Sequence, residues 1–161
     1  MSYNSATNTA TFRPSAPLAN NTNYTVTVTT GVTDLAGNHL AAQSVTTFTT
    51  ALDTTAPTIL STSPANGATG IVVSSVVTVT FSEAMDLTTI NGTNIKLSVT
   101  SPSSSVAGIV SYNTTSHVAT FTPTSALTAN TNYTATVTTG VKDAAGNPLA
   151  INGSFTFTTA P

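Results

Sequence analysis

Apolar residues alternate with threonine along several short stretches of the chain. Single threonines separate Val77, Val79 and Phe81, and the same spacing recurs at 133–137 and 155–157. A period of two residues sends successive side chains to opposite faces of a strand, so each stretch predicts a β-strand with one buried face. Threonine suits the outer face, because its branched side chain packs on a pleated surface while its hydroxyl meets water.

Turn residues separate these strands, most clearly at 64–67, 91–92, 101–102 and in two Ala-Gly-Asn turns at 36–38 and 145–147. No long window has the helical period of 3.6, and only 82–89 predicts a short helical turn. About seven strands in about 105 residues predict an all-β, immunoglobulin-like Greek-key β-sandwich. Tyr133 and Tyr24 stand where such sandwiches place a tyrosine whose hydroxyl bonds to a neighbouring turn.

The chain repeats itself at a distance of 109 residues. Residues 3–52 align with 112–161 without a gap, and 29 of the 50 pairs are identical, whereas 53–111 has no earlier copy. We therefore expect one full sandwich plus a half sandwich: 1–52 as the C-terminal half of an Ig-like unit, 53–57 as a linker, and 58–161 as a complete domain.

Composition excludes several functions. The 161 residues include only 8 charged ones with a net charge of -2, which provides no field to attract nucleic acid. No apolar run approaches the roughly 18 residues of a membrane helix, so we expect no membrane insertion. The chain has no cysteine and therefore no disulfide or thiolate site. No signal segment begins at Met1, so we expect any export signal to lie outside this piece.

Four stretches of the second unit carry a family resemblance: APTILSTSPANGATG at 56–70, FSEAMD at 81–86, VKDAAGN at 141–147 and FTFTT at 155–159. They resemble the bacterial Ig-like domains found in tandem in surface-layer and adhesin-like proteins. The resemblance implies an extracellular or cell-surface location and a non-catalytic structural or adhesive role as a spacer or display arm. Carbohydrate binding ranks below this role, since most aromatic residues are predicted to point inward.

The half unit is predicted to need a partner. We expect three strands whose Phe12, Tyr24, Val26, Val28 and Phe48 point to a face that lacks its covering sheet. Exposed apolar faces and open strand edges favour association. Half units of two chains can pack across a twofold axis, or residues 3–52 can compete with 112–161 for the segment 55–111. We favour the first arrangement, a homodimer; the alternative is an arbitrary cut from a tandem array.

His39 offers the sharpest catalytic hypothesis. It follows the first Ala-Gly-Asn turn, where the complete unit has Pro148. A single loop histidine is ordinarily solvated, but a twofold axis would double His39 and Asp34 into four ligands for zinc or manganese. A metal with an open position activates water, so the alternative function is a metal-dependent hydrolase of phosphoesters or esters at a homodimer interface.

Asp143 and Asn147 belong to the second Asp-x-Ala-Gly-Asn turn. Carboxylate, amide and backbone oxygens there suit calcium, as does the linker around Asp53, yet the spacing falls short of an EF-hand loop. Turn geometry explains the same residues, because Asp and Asn bond their own backbone. Glu83 and Asp86 form the one close carboxylate pair, which we expect to cap a turn rather than to hydrolyse glycosides.

Overall fold

A computed structural model describes all residues, Met1–Pro161, as strands, turns and connecting segments without a helix. It divides the chain into two compact units, Met1–Asp53 and Thr54–Pro161. No helix is present that is long and apolar enough to cross a membrane. The first unit has four strands: β1 (Ser2–Asn4), β2 (Thr9–Thr11), β3 (Asn23–Val28) and β4 (Ser44–Thr49).

The second unit has nine strands rather than seven. They are β5 (Ile59–Ser63), β6 (Ala68–Ile71), β7 (Val77–Phe81), β8 (Ile95–Val99), β9 (Ser104–Ser105), β10 (Gly108–Asn113), β11 (Val118–Pro123), β12 (Asn132–Val137) and β13 (Gly153–Thr159). Two sheets result, with strand orders β10-β11-β7-β5 and β6-β13-β12-β8-β9. All neighbours are antiparallel except β13 and β6. This is an immunoglobulin-like β-sandwich.

The alternating pattern decides which side chains of the second unit enter the core. Val77, Val79 and Phe81 on β7 are buried, as are Tyr133 and Val137 on β12, while the intervening threonines are half-buried. Gly108 on β10 is required by this packing, because a Cβ there would overlap the ring of Phe121. The core therefore fills the space between the two sheets, as the sequence predicts.

The predicted helical turn at 82–89 is wrong. This segment contains bends, a β-bridge between Met85 and Asp143, and a turn closed by the Thr89 N–H donating to the Asp86 carbonyl at 3.0 Å. Asp86 Oδ1 also accepts the Thr88 N–H and hydroxyl at 2.9 and 2.8 Å. An aspartate that bonds the backbone two residues on favours a turn over a helix interior.

The first unit reproduces the local structure of 112–161 but not its burial. Its strands form two separate pairs, β1-β2 and β3-β4, equivalent to β10-β11 and β12-β13. Tyr24 stacks on Phe48 with ring centroids 5.8 Å apart, as Tyr133 stacks on Phe157 at 5.6 Å. No residue of 1–52 is buried, however. Local hydrogen bonds follow from the local sequence, whereas burial requires the segment that the first unit lacks.

The expectation of a missing covering sheet needs correction, as does the count of three strands. In the second unit, 54–111 supplies β7 and β5 to one sheet and β6, β8 and β9 to the other. The first unit therefore has two strands of each sheet and lacks their lateral neighbours. Its β2, β3 and β4 lack the partners that β7, β8 and β6 provide in the second unit.

Candidate functional site

Two equivalent loops hold the residues that the sequence singles out: 32–40 in the first unit and 141–149 in the second. Each loop closes through the same backbone hydrogen bonds. Asp34 N–H donates to the Asn38 carbonyl at 2.9 Å, and Asp143 N–H donates to the Asn147 carbonyl at 3.0 Å. The central glycines adopt φ of 87° at Gly37 and 97° at Gly146, a left-handed conformation that glycine accepts readily.

The Asp143 carboxylate accepts three hydrogen bonds within its loop. Its Oδ1 accepts the Ala145 and Asn147 N–H groups, both at 2.8 Å, and its Oδ2 accepts Asn147 Nδ2 at 2.8 Å. Asp143 is only 1% exposed, and these bonds compensate for burying its charge. Turn geometry therefore explains Asp143 and Asn147 without a bound cation.

Calcium at Asp143 and Asn147 stays the alternative to this turn interpretation. The structure adds a carboxylate that spacing along the chain did not indicate: a Glu83 oxygen lies within 4.8 Å of an Asp143 oxygen. Asn147, however, turns its Nδ2 donor rather than its amide oxygen toward Asp143. Asp86 caps its own turn, as the sequence predicts, because its Oδ1 accepts the Thr88 N–H and hydroxyl.

Asp34 makes the same three contacts in the exposed first unit, all at 2.9 Å: with the Ala36 N–H, the Asn38 N–H and Asn38 Nδ2. The Asn38 side chain, followed by the Asn38 backbone N–H, holds the pKa of Asp34 below its ordinary value. These bonds favour the ionised form of the side chain, so Asp34 is a carboxylate at neutral pH.

His39 is anchored through one ring nitrogen. Its Nδ1 lies 2.9 Å from the Thr30 carbonyl oxygen, which can only accept, so Nδ1 carries the proton and Nε2 is left for another partner. Within one copy, His39 and Asp34 belong to no group of three or more potential metal ligands. The predicted site at these residues therefore depends entirely on a second copy.

The 141–149 loop contacts the segment that the first unit lacks. Asp86 N–H donates to the Lys142 carbonyl at 2.9 Å, and Ala144 N–H donates to the Ala84 carbonyl at 3.0 Å. The equivalent loop, 32–40, has no such neighbour within its unit, which leaves it exposed. The repeat in the sequence identifies both loops. The residues that contact 141–149 are distant along the chain, so the repeat does not reveal them.

Both predicted tyrosine hydroxyls bond to turns. Tyr133 Oη accepts the Thr128 N–H at 2.8 Å, and Tyr24 Oη accepts the Ala19 N–H at 2.9 Å, which confirms the prediction. Thr159 and Thr50 are a further equivalent pair that sequence reasoning missed. Each threonine hydroxyl lies within hydrogen-bond distance of two carbonyl oxygens of a turn. The oxygen–oxygen distances are 2.7 and 3.2 Å for Thr159 and 2.6 and 3.3 Å for Thr50.

Four surface hollows of the second unit have volumes of about 210, 230, 290 and 520 Å³. Their walls consist of small, hydroxyl and apolar side chains with a single lysine, Lys96, and contain no His, Asp or Glu. These four hollows therefore offer neither an imidazole nor a carboxylate in their walls.

Similar proteins share this fold. The surface layer protein SbsC (domains 1–6) is 21% identical over 66% of this chain and 14% of that chain, with a TM-score of 0.52. The chain thus spans a small part of that protein. PcoC, a methionine-rich copper resistance protein from Escherichia coli, is 21% identical over 65% of this chain and 99% of its own, with a TM-score of 0.54.

CopC from Methylosinus trichosporium OB3b is 15% identical over 65% of this chain and 94% of its own, with a TM-score of 0.52. No curated protein matches the chain. The bacterial Ig-like domain family matches residues 1–50 and 53–159, which is nearly the whole chain. The repeat, the sandwich and this match agree, and the chain belongs to the bacterial Ig-like domain family.

Proposed function

We propose that the chain is a non-catalytic structural or adhesive module of a bacterial cell-surface or secreted protein. The observation that carries this proposal is the use of Asp143, the buried carboxylate of the second unit, to close its own loop. No buried side-chain nitrogen or oxygen in the structure lacks a hydrogen-bond partner. The buried polar groups thus support the sandwich itself, which suits a structural module.

Family membership and the neighbours fit this role. A bacterial Ig-like domain and a surface layer protein of the same fold support a location on the cell surface. The sparse charge also suits a rigid, soluble spacer better than an enzyme that must bind a charged substrate. Residues 54–161, with a continuous core between two sheets, supply the rigid element.

Single-molecule stretching tests the spacer role. A rigid module should unfold in one step, lengthening by roughly 300–400 Å as 54–161 extends at about 3.3–3.6 Å per residue. Phe121→Ala should lower the force of that step, because it removes a core side chain, whereas Phe12→Ala should not. Gradual lengthening without a step would contradict the proposal.

A metal-dependent hydrolase at a homodimer interface is the alternative, and one observation favours it. A histidine whose Nδ1 donates to a backbone carbonyl is held as metal-ligating histidines commonly are, with Nε2 available. Zinc and manganese binding, with phosphodiester and carboxylester hydrolysis, should be measured on the purified chain and on His39→Ala. The structural proposal predicts no stoichiometric metal and no turnover in either; turnover that His39→Ala abolishes would establish the alternative.

A further inference from the structure

The first unit exposes, at equivalent positions, the side chains that form the core of the second. Phe12, Val26, Val28 and Phe48 are exposed, whereas Phe121, Ala135, Val137 and Phe157 are buried. The strands fail to pair as well: β3 pairs with β4 alone, whereas β12 pairs with both β13 and β8. Unpaired edges beside exposed apolar residues are the usual conditions for strand addition.

Exchange of the segment 54–111 between copies cannot cover these residues. Each chain contains two half sandwiches, 1–53 and 112–161, and both need the strands of a 54–111 segment. The chain contains only one such segment. Any number of copies that trade segments therefore leaves as many halves uncovered as there are chains. Only pairing of the uncovered halves with one another buries all of them in a solution of this chain alone.

Strand direction permits such pairing in both sheets at once. In the second unit, β11 pairs antiparallel with β7, and β12 pairs antiparallel with β8. A twofold axis perpendicular to the sheets makes β2 antiparallel to β2 of a second copy and β3 antiparallel to β3 of that copy. The resulting strand orders, β1-β2-β2-β1 and β4-β3-β3-β4, repeat the antiparallel pairing of β10-β11-β7-β5 and β13-β12-β8-β9.

The inward side chains of β3 suit a symmetric partner. In the second unit, small Ala135 lies opposite large Leu97. The equivalent of Ala135 is Val26, the one inward position of β3 that differs between the two halves. Placed on the twofold axis, Val26 meets Val26 of the second copy, so two side chains of intermediate size replace a small and a large one. Tyr24 then lies opposite Val28 of the second copy.

We propose that the unpaired edges of β2 and β3 bind the same edges of a second copy, giving a homodimer with two continuous four-stranded sheets. The 32–40 loops follow the C-terminal ends of two antiparallel β3 strands. They therefore lie at opposite ends of the composite sandwich, about one strand length of roughly 20 Å apart. This arrangement keeps the two His39 side chains apart, whereas a metal site built from His39 and Asp34 of two copies would need them close together.

Cysteine cross-linking of the full chain tests the arrangement, since the natural sequence contains no cysteine. Light scattering at micromolar concentration should give twice the 16.2 kDa chain mass. Under oxidising conditions, Val26→Cys should form a covalent dimer and His39→Cys should not. Val26→Lys should give a monomer, whereas Ile151→Lys, a control at an exposed site of the second unit, should remain dimeric.

A strict monomer, or a dimer cross-linked through His39→Cys but not through Val26→Cys, would overturn the proposal. Circular dichroism should report an intact second unit in every variant, because the other substitutions lie outside residues 54–161 and Ile151 is exposed on their surface. If Val26→Cys does not fold, a nitroxide label at Thr27→Cys replaces it. Dipolar broadening from two neighbouring labels is then expected, and a spectrum of isolated labels would count against the dimer.

Discussion

Phe12 and Phe121 occupy equivalent positions of the internal repeat, yet Phe12 is 68% exposed and Phe121 is 4% exposed. The two residues follow the same strand pattern and precede the same proline two positions later. The difference therefore lies in tertiary packing, because only Phe121 has the strands of 54–111 beside it.

This pair gives the first prediction. Phe121→Ala should destabilise the second unit by about 3–5 kcal/mol, the usual cost of removing a buried phenylalanine. Phe12→Ala is the matched control and should leave the unfolding of the second unit unchanged. Urea unfolding monitored by circular dichroism measures both, and equal losses in the two variants would contradict the assignment of the core.

The close approach of Gly108 to the Phe121 ring predicts that a larger residue at 108 destabilises the second unit. A Cβ at this position would overlap the Phe121 ring, whereas a Cβ at Gly92 would meet no atom within 4 Å. Gly108→Ala should therefore destabilise the second unit by about 1–3 kcal/mol through overpacking, and Gly92→Ala should have little effect. A thermal shift comparison decides the matter, and an unchanged melting temperature for Gly108→Ala would exclude this packing.

The hydrogen bonds of Asp143 predict that the stability of the 141–149 loop depends on this carboxylate. Asp143→Ala removes the acceptor for three donors in a buried site and should cost about 2–4 kcal/mol. Asp34→Ala, at the exposed equivalent, should leave the second unit's unfolding midpoint unchanged. If Asp143→Ala unfolded at the wild-type denaturant concentration, the three bonds would have no net role.

Calcium removal provides a separate check of the same loop. Because the Asp143 oxygens already accept three hydrogen bonds, we predict that a chelator leaves the melting temperature of the chain unchanged. Calorimetry with and without added calcium makes this measurement. A calcium-dependent rise that Asp143→Asn abolishes would instead place the cation at Asp143 and Asn147.

Tyr112 gives a prediction at alkaline pH. Burial raises the pKa of its hydroxyl above the ordinary value of 10.0, against a smaller lowering by the Met85 N–H, which donates to Oη at 3.0 Å. Since the folded pKa lies above the unfolded one, the stabilisation is fully present below about pH 10 and is lost as pH rises through the folded pKa.

Tyr112→Phe should cost about 1 kcal/mol at neutral pH by leaving the Met85 N–H without its acceptor. It should also reduce the decline in stability above pH 10. Tyr3→Phe is the equivalent change at an exposed residue and should show neither effect. Denaturant unfolding across alkaline pH tests this, and identical pH profiles for wild type and Tyr112→Phe would refute it.

Local patterns predicted much of this fold. Alternation located β7, β12 and β13, and the repeat assigned Tyr24 and Tyr133 to the same hydrogen bond. The two-residue period and a turn bond act over a few residues, so a single sequence reveals them.

Other features depended on distant residues and could not be predicted. The short β9 and the parallel pairing of β6 with β13 have no local signature. The strands of 54–111 are divided between both sheets, which only the three-dimensional topology reveals. The first unit therefore lacks lateral strands in each sheet rather than a whole covering sheet. The proximity of Glu83 and Asp143 likewise arises from the bridge between Met85 and Asp143.

A half sandwich that pairs its β2 and β3 edges with a second copy should protect the backbone amides of β3 only as the dimer forms. Hydrogen exchange of the amides of Asn23–Val28, measured over a range of protein concentrations, follows this protection. We expect protection at alternate residues of β3 that increases with concentration and approaches that of Asn132–Val137. Protection of β3 that is independent of concentration, or absent at every concentration while β12 stays protected, would contradict it.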